Sequence, residues 1–296
     1  MGVLRIGPAL TIGQVTVERV EELRIPNPIG HFTQDAALVE ANRHWLAPHW
    51  LDDAGVMDLV FQSFVFEIEG RVVLVDPCTG NGRPNVMPMF DQLDVPFVER
   101  IEAAGWRPQD VDIVVCTHLH HDHCGWNTCL RGDKWVPTFP KARYVMQQAE
   151  VDRWGRERHL HKPFDMNDGV FERSVQPVLE AGLAELVAGS RAIAPGLAVE
   201  LAPGHTAGHQ MLSVTSAARR ALFTGDAFHH PLQLVDPAIP FGWPEDQVVI
   251  ADLRRRLVER AANEDLLLVA AHLDAPHGIK VSRAGDRLAF TASACA

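Results

Sequence analysis

Residues 112–126, DIVVCTHLHHDHCGW, constrain this chain more than any other stretch. Ile113-Val114-Val115 is a β-branched apolar run of the kind that forms a buried strand. The chain leaves it through Thr117 into His118-Leu119-His120-His121-Asp122-His123. Alternate side chains of an extended segment share a face, so His118 and His120 point the same way and can hold one cation. Asp122 is a favoured N-cap residue, which predicts a turn into a helix there. That turn swings Asp122 and His123 toward a second position beside the first. Imidazoles with a carboxylate suit zinc and similar transition ions. The competing reading is a histidine-rich loop without metal, and ordinary residue usage makes this arrangement rare by chance.

Three more residues share one architectural signature, each lying just past the end of a predicted strand. His205 in PGHTAGH follows the strand predicted at 197–201, Asp226 in FTGDAF the one at 221–224, and His272 in VAAHLD the one at 266–271. Ligands in α/β sheets gather where loops converge at strand ends, so this shared placement groups the three with the first motif. Gly204, Gly208 and Gly225 allow the sharp loops and close backbone approach that such a site needs.

Composition narrows the partners. Lys and Arg total 27 against 38 Asp and Glu, a formal charge of −11, which argues against nucleic acid and other polyphosphates. No apolar run reaches the length of a membrane span, and the opening MGVLRIGPALTIGQVTVERV lacks a signal-peptide pattern. The five cysteines form no CxxC pair and read as free thiols in a reducing cytoplasm. Cys124, beside a candidate ligand, reads as a small packed thiol.

Elsewhere, residues 12–24 read as a strand, and 25–55 as an extension with one helix from Thr33 to about Trp45, capped by Thr33 or Asp35. Its Phe32, Trp45, Leu46 and Trp50 either pack on the body, close a pocket or form a homodimer contact. FQSFVFEIEGRVVLVDP predicts a hairpin turning at Glu69-Gly70 and ending at Asp76. A short helix is expected at 96–105, a strand at 143–145 leading into a helix through Trp154, and helical pieces near 168–182 in an otherwise unreadable 155–197. A strand at 210–215 turns near Ala217-Ala218, an amphipathic helix covers 247–262, and a last hairpin at 278–292 turns at Ala284-Gly285. Strands followed by helices, twice over and without a linker, predict two α/β halves packed sheet to sheet within one domain over 1–296.

THLHHDH followed by PGHTAGH, TGD and a late AAH resembles the metallo-β-lactamase superfamily over residues 12–292. The resemblance implies an α/β fold, a four-layer αββα sandwich, and two divalent ions, zinc first, with manganese, iron or cobalt as alternatives. By position, His118, His120 and His205 would take one ion, Asp122, His123 and His272 the other, and Asp226 would bridge them. Asp76 would brace the ligand loop from behind. Within the superfamily, binuclear β-lactamases lack the bridging aspartate. Flavodiiron reductases have Glu at the position of His120 and add a flavodoxin domain. RNA-processing members carry an extra domain or exosite, and glyoxalase II relatives have a shorter N-terminus and basic residues for glutathione. The extended N-terminus and FHHPLQLVDP are most similar to the group of quorum-quenching lactonases and methyl parathion hydrolase. Many acyl-homoserine lactonases carry a carbonyl-binding Tyr three residues after the bridging Asp, where this chain has His229.

These features lead to a dinuclear hydrolase that cleaves a neutral, hydrophobic small-molecule ester or lactone with a hydroxide shared by two ions. Asp122 is the expected proton carrier and His229 the expected hydrogen-bond donor. Trp126, Phe228, Phe241 and Trp243, on loops near the ligands, are expected to give an apolar pocket. The alternatives are a phosphotriester hydrolase on the same site, a mononuclear iron oxygenase of the persulfide-dioxygenase kind, and a metal-bound module without turnover. Of the other histidines, His121 is expected at the surface or in packing, His209 and His230 in support, and His277 at the pocket mouth.

Overall fold

Three apolar clusters separate four layers. The computed structural model describes residues 8–160, 163–285 and 287–296, which leaves His161 and Asp286 outside. The central cluster joins Phe64, Phe66, Val73, Val75, Ile113 and Val115 of one sheet to Val199, Leu212, Val214, Phe223, Leu267 and Val269 of the other. A second cluster packs the helix Gln247–Glu264 through Ile250, Leu253, Leu257 and Val258 on the outer face of the second sheet. A third covers the outer face of the first sheet with Phe97, Ile101, Trp154 and Val178. The fold is therefore the α/β sandwich of two packed sheets that the pattern predicts.

The first sheet runs, in spatial order, Pro8–Ile12, Val15–Pro28, Val56–Ile68, Arg71–Val75, Val111–Val115, Arg143–Gln147 and Ala184–Val187. The second runs Arg191–Ala194, Leu197–Leu201, Gln210–Ser216, Arg219–Phe223, Leu267–Val269, Gly278–Ala284 and Arg287–Ser293. Arg71–Val75, Val111–Val115 and Arg143–Gln147 pair in parallel, as do Arg219–Phe223 and Leu267–Val269. Parallel strands covered on both faces read as unbroken apolar runs, which is why Ile113-Val114-Val115 was legible.

The N-terminal region departs from expectation. The predicted single strand at 12–24 is a hairpin, Pro8–Ile12 with Val15–Pro28, and the second arm continues through Pro26 and Pro28. Among the described residues those prolines pair with Asp58 and Val56 on one side only, since Pro8–Ile12 reaches no further than Glu18 on the other. A proline is tolerated where its nitrogen faces a free edge. The helix of the extension spans Ala36–Leu46 and is capped by Asp35, whose carboxylate accepts from Leu38 N. Phe32, Leu46 and Trp50 are buried in the cluster beneath Gln247–Glu264, and Trp45 stacks on Phe290 at 5.3 Å. Four short strands lie in parts of the chain without a readable pattern: Thr128–Arg131 and Lys134–Pro137 form a hairpin, while Ala184–Val187 and Arg191–Ala194 are unpaired with each other and edge the first and second sheet.

Candidate metal centre

Five loops meet at one edge of the sandwich, each leaving the C-terminal end of a strand. They carry Asp76, His118–His123, His205, Asp226 and His272. The helix after the first motif spans His121–Cys124, with His120 rather than Asp122 at its N-cap, so Asp122 sits within the first turn. His118 Nε2, His120 Nδ1 and His205 Nε2 lie 3.0–3.1 Å from one another. Asp122, His123 and His272 form a second group, with His123 Nε2 and His272 Nε2 each 3.6 Å from Asp122 Oδ2. Asp226 stands between them. Its Oδ2 faces His205 Nε2 at 3.3 Å and His118 Nε2 at 3.8 Å, while its Oδ1 faces His272 Nε2 at 3.1 Å and His123 Nε2 at 3.4 Å.

This donor set fits metal ions. Imidazole nitrogens converging at 3.0 Å repel as lone pairs unless a cation or proton lies among them. About 3.3 Å is the nitrogen spacing around a tetrahedral ion with 2.0–2.1 Å bonds. His123 Nε2 and Asp226 Oδ1 are buried and lack a hydrogen-bond partner. The far nitrogens of His123 and His272 are already committed, as is usual for metal-binding imidazoles. His123 Nδ1 lies 3.0 Å from Asp76 Oδ2, and His272 Nδ1 3.0 Å from the Val60 carbonyl. Asp76 also accepts from Thr117 N and Thr117 Oγ1, and His209 Nε2 accepts from Asp226 N while its Nδ1 faces the Ala202 carbonyl. Burial and neighbouring imidazoles push His118 well below the ordinary range. Burial would lower His123 too, yet Asp226, Asp122 and Asp76 hold it well above. Burial would raise Asp226, yet His123, His229 and His272 hold it well below the usual carboxylate range.

A cavity of about 490 Å³ opens onto Asp122, His120, His205, Asp226, His229 and His272. Phe241 and Trp243 line it as predicted from sequence. Trp126 and Phe228 do not. Trp126 follows a tight turn, stacks on Phe97 at 5.1 Å and donates its indole N–H to Glu22 Oε1, a buried acceptor behind the ligand loop. Phe228 is in extended backbone, so it and His229 point oppositely; Phe228 enters the core and His229 the cavity. His229 Nε2 lies 3.0 Å from Asp226 Oδ2. The walls that sequence reasoning missed are Phe61, Met87, Met89, Phe90, Phe164 and Met166. His121 is buried against Phe90 in the cavity wall, and His277 is buried with Nδ1 on the Leu273 carbonyl, away from the mouth. Cys124 Sγ donates to the His120 carbonyl and turns from the metal groups.

His230 supplies a test of the surrounding structure. Its Nδ1 accepts from Leu232 N, and its Nε2–H donates to the Trp50 carbonyl, which ties the extension to the loop after Asp226. Burial pushes this ring down to about 4 from an ordinary 6.5, because a second proton has no acceptor there. The unfolded chain therefore binds a proton that the folded chain refuses. Stability from this site is complete above about pH 6.5 and is lost as pH falls toward 4, about 3 kcal/mol in all. Urea unfolding of chelator-treated protein across that window should show the loss, and His230→Gln should flatten its slope by up to about 1.4 kcal/mol per pH unit.

The metallo-beta-lactamase superfamily profile matches residues 60–272. A probable metallo-hydrolase of Mycobacterium tuberculosis is 27% identical over 241 residues, 72% of this chain and 74% of that protein. An N-acyl homoserine lactonase of a Bacillus species is 24% identical over 241 residues, 76% and 86%. Among solved structures, the dizinc quorum-quenching lactonase AidC, with a product bound, superposes at a TM-score of 0.73 with 16% identity over 97% of both chains. The hydrolase AbOPH superposes at 0.77 with 18% identity over 99% and 98%. No helix among the described residues is long and apolar enough to cross a membrane. With its ligand-bearing loops at the strand ends of a two-sheet sandwich and more than two thirds of its length matched, the chain belongs to the metallo-β-lactamase superfamily.

Proposed function

We propose that the protein is a dinuclear metal-dependent hydrolase of neutral, hydrophobic esters or lactones. One observation carries the reading: Asp226 turns one oxygen to each of two separate, buried donor groups. In this reading His118, His120 and His205 hold one ion, Asp122, His123 and His272 the other, and Asp226 both. Such a pair, when bound, supplies Lewis-acid polarisation of a carbonyl and acidifies water toward neutral pH. Zinc suits the imidazole-rich set, with manganese, iron or cobalt next.

The chain's own residues do the rest. Asp122 is the partly exposed carboxylate at the cavity floor. Burial would raise its pKa, but His123, His121 and His272 hold it below the usual range, so it rests as a proton acceptor. It takes the proton of the attacking water and returns it to the departing alkoxide. Phe61, Phe90, Phe164, Phe241 and the three methionines present an apolar wall, and no Lys or Arg lines the cavity among the described residues. A charged substrate would lose its hydration there without a partner, whereas an acyl or aryl group buries about 25 cal/mol of favourable free energy per Å². The reduced thiols fit a cytoplasmic location.

The phosphotriester alternative uses the same apolar cavity, and a substrate panel separates it. Homoserine lactones, aryl esters, a phosphotriester, a β-lactam and a glutathione thioester should rank with the neutral esters and lactones first and the glutathione thioester last. The mononuclear oxygenase reading leaves Asp122, His123 and His272 without purpose. Elemental analysis of protein purified without chelator should give close to two ions per chain; a count that stays at one after saturation with zinc or manganese overturns the dinuclear reading.

A further inference from the structure

Glu150 is buried, at 1% exposure, in the helix Gln148–Trp154, although its neighbour Ala149 is exposed. Its carboxylate sits between two of the loops that carry candidate ligands. Oε2 accepts from Leu119 N at 3.0 Å, and Leu119 is the residue between His118 and His120. Oε1 accepts from Gly208 N at 2.9 Å, three residues past His205. Trp154 Nε1 donates to Oε2 at 3.0 Å, and the same indole packs edge-on against the His120 ring at 5.3 Å. The approach of the second loop is so close that a Cβ on Gly208 would lie 2.6 Å from Glu150 N. The loops come from different sheets; at their bases Gln210 N donates to the Thr117 carbonyl and Gln210 Nε2 to the Cys116 carbonyl, each at 2.8 Å, while Glu150 joins them further out, at Leu119 and Gly208.

Three imidazoles drawn from those loops converge to within 3.1 Å, a geometry that their mutual repulsion opposes. A carboxylate has acceptor sites for three N–H donors on two oxygens; no neutral side chain of that size does. We propose that Glu150 is the positioning residue that locks the His118–His120 loop to the His205 loop and so pre-forms one of the two metal sites. The inference rests on the two-ion reading above.

Glu150→Gln tests it with little change of shape. Whichever way the amide turns, its NH₂ faces an N–H donor, and the orientation that keeps Leu119 and Trp154 bonded releases Gly208 and with it the His205 loop. Glu22→Gln is the matched comparison. Glu22 is likewise buried and also accepts two backbone N–H groups, Thr79 and Gly80, and an indole, Trp126, but none of these borders His205. The measurement is zinc affinity of the full chain, by competition with a chromophoric chelator, alongside melting of the metal-free proteins. Outer partners of metal ligands are worth 10–100-fold in affinity. Glu150→Gln should therefore weaken one zinc about tenfold and leave the other within about threefold, whereas Glu22→Gln should lower the melting point comparably and leave both within about threefold. Unchanged affinities in Glu150→Gln, or equal losses in both variants, overturn the inference. Should Glu150→Gln fail to fold, amide exchange in the wild type decides: Leu119 and Gly208 should be protected before zinc is added, and protection that arises only with zinc overturns the proposal. If the wild type binds a single zinc, the two-ion reading fails, while the Glu150→Gln comparison on that zinc still decides this one.

Discussion

Asp226→Ala should abolish hydrolysis and release both ions, while the fold survives. Partners that merely brace a metal ligand are worth 10–100-fold, and a carboxylate facing both donor groups should exceed that, so turnover is expected to fall more than about a hundredfold. Neither group can compensate. The oxygen nearest His205 and His118 and the oxygen nearest His272 and His123 are lost in one substitution. The backbone should hold, because His209 grips Asp226 through its N–H and Arg254 grips the next residue through the Ala227 carbonyl. Elemental analysis, thermal melting of the metal-free protein and turnover on the best ester measure the three effects separately. Near-normal turnover with two ions per chain would remove Asp226 from the bridge.

The residues that converge at this centre were legible because a cluster of imidazoles and carboxylates at strand ends obeys local rules. His118 and His120 alternate on one extended segment, and His205, Asp226 and His272 each follow a short apolar run that could be read without knowing its neighbours. The sheets were legible for the same reason, since Ile113-Val114-Val115 and the hairpin turning at Glu69-Gly70 carry their pattern within a few residues. What surrounds the centre was not. Met87, Met89 and Phe90 come from a loop without periodicity, and Phe164 and Met166 from a stretch of short irregular turns, so no pattern announced the cavity wall. Trp126 and Phe228 failed in the opposite sense: closeness to a ligand in sequence suggested the pocket, but side-chain direction placed one on Glu22 and the other in the core. Glu150 gave no signal because the partners that tie it to the two loops are backbone N–H groups 31 and 58 residues away, and backbone donors have no sequence identity.

Replacing His229 by alanine should lower kcat about tenfold to a hundredfold on the best lactone or ester, with both ions retained. A donor aimed at a developing oxyanion is typically worth 10²–10³ in rate, and one acting beside metal ions that share this task should give less. The ring stands at the right place for such a role. It lines the cavity, stacks parallel to His272 at 5.2 Å, and has room because Gly242 carries no side chain; a Cβ there would lie 2.1 Å from His229 Cε1. Its Nε2 now rests on Asp226 Oδ2, so to reach a substrate the N–H must exchange that oxygen for the substrate's. Two readings follow, and one pair of variants separates them. If His229 donates to the substrate carbonyl, His229→Tyr should keep or improve lactone turnover, since a phenol supplies the same donor, and the alanine loss should be larger for lactones than for aryl esters. If His229 only steadies the bridging carboxylate, alanine and tyrosine should both shed metal and slow every substrate alike. Unchanged rates across the panel for His229→Ala would exclude both roles and leave proton handling to Asp122 in this reading.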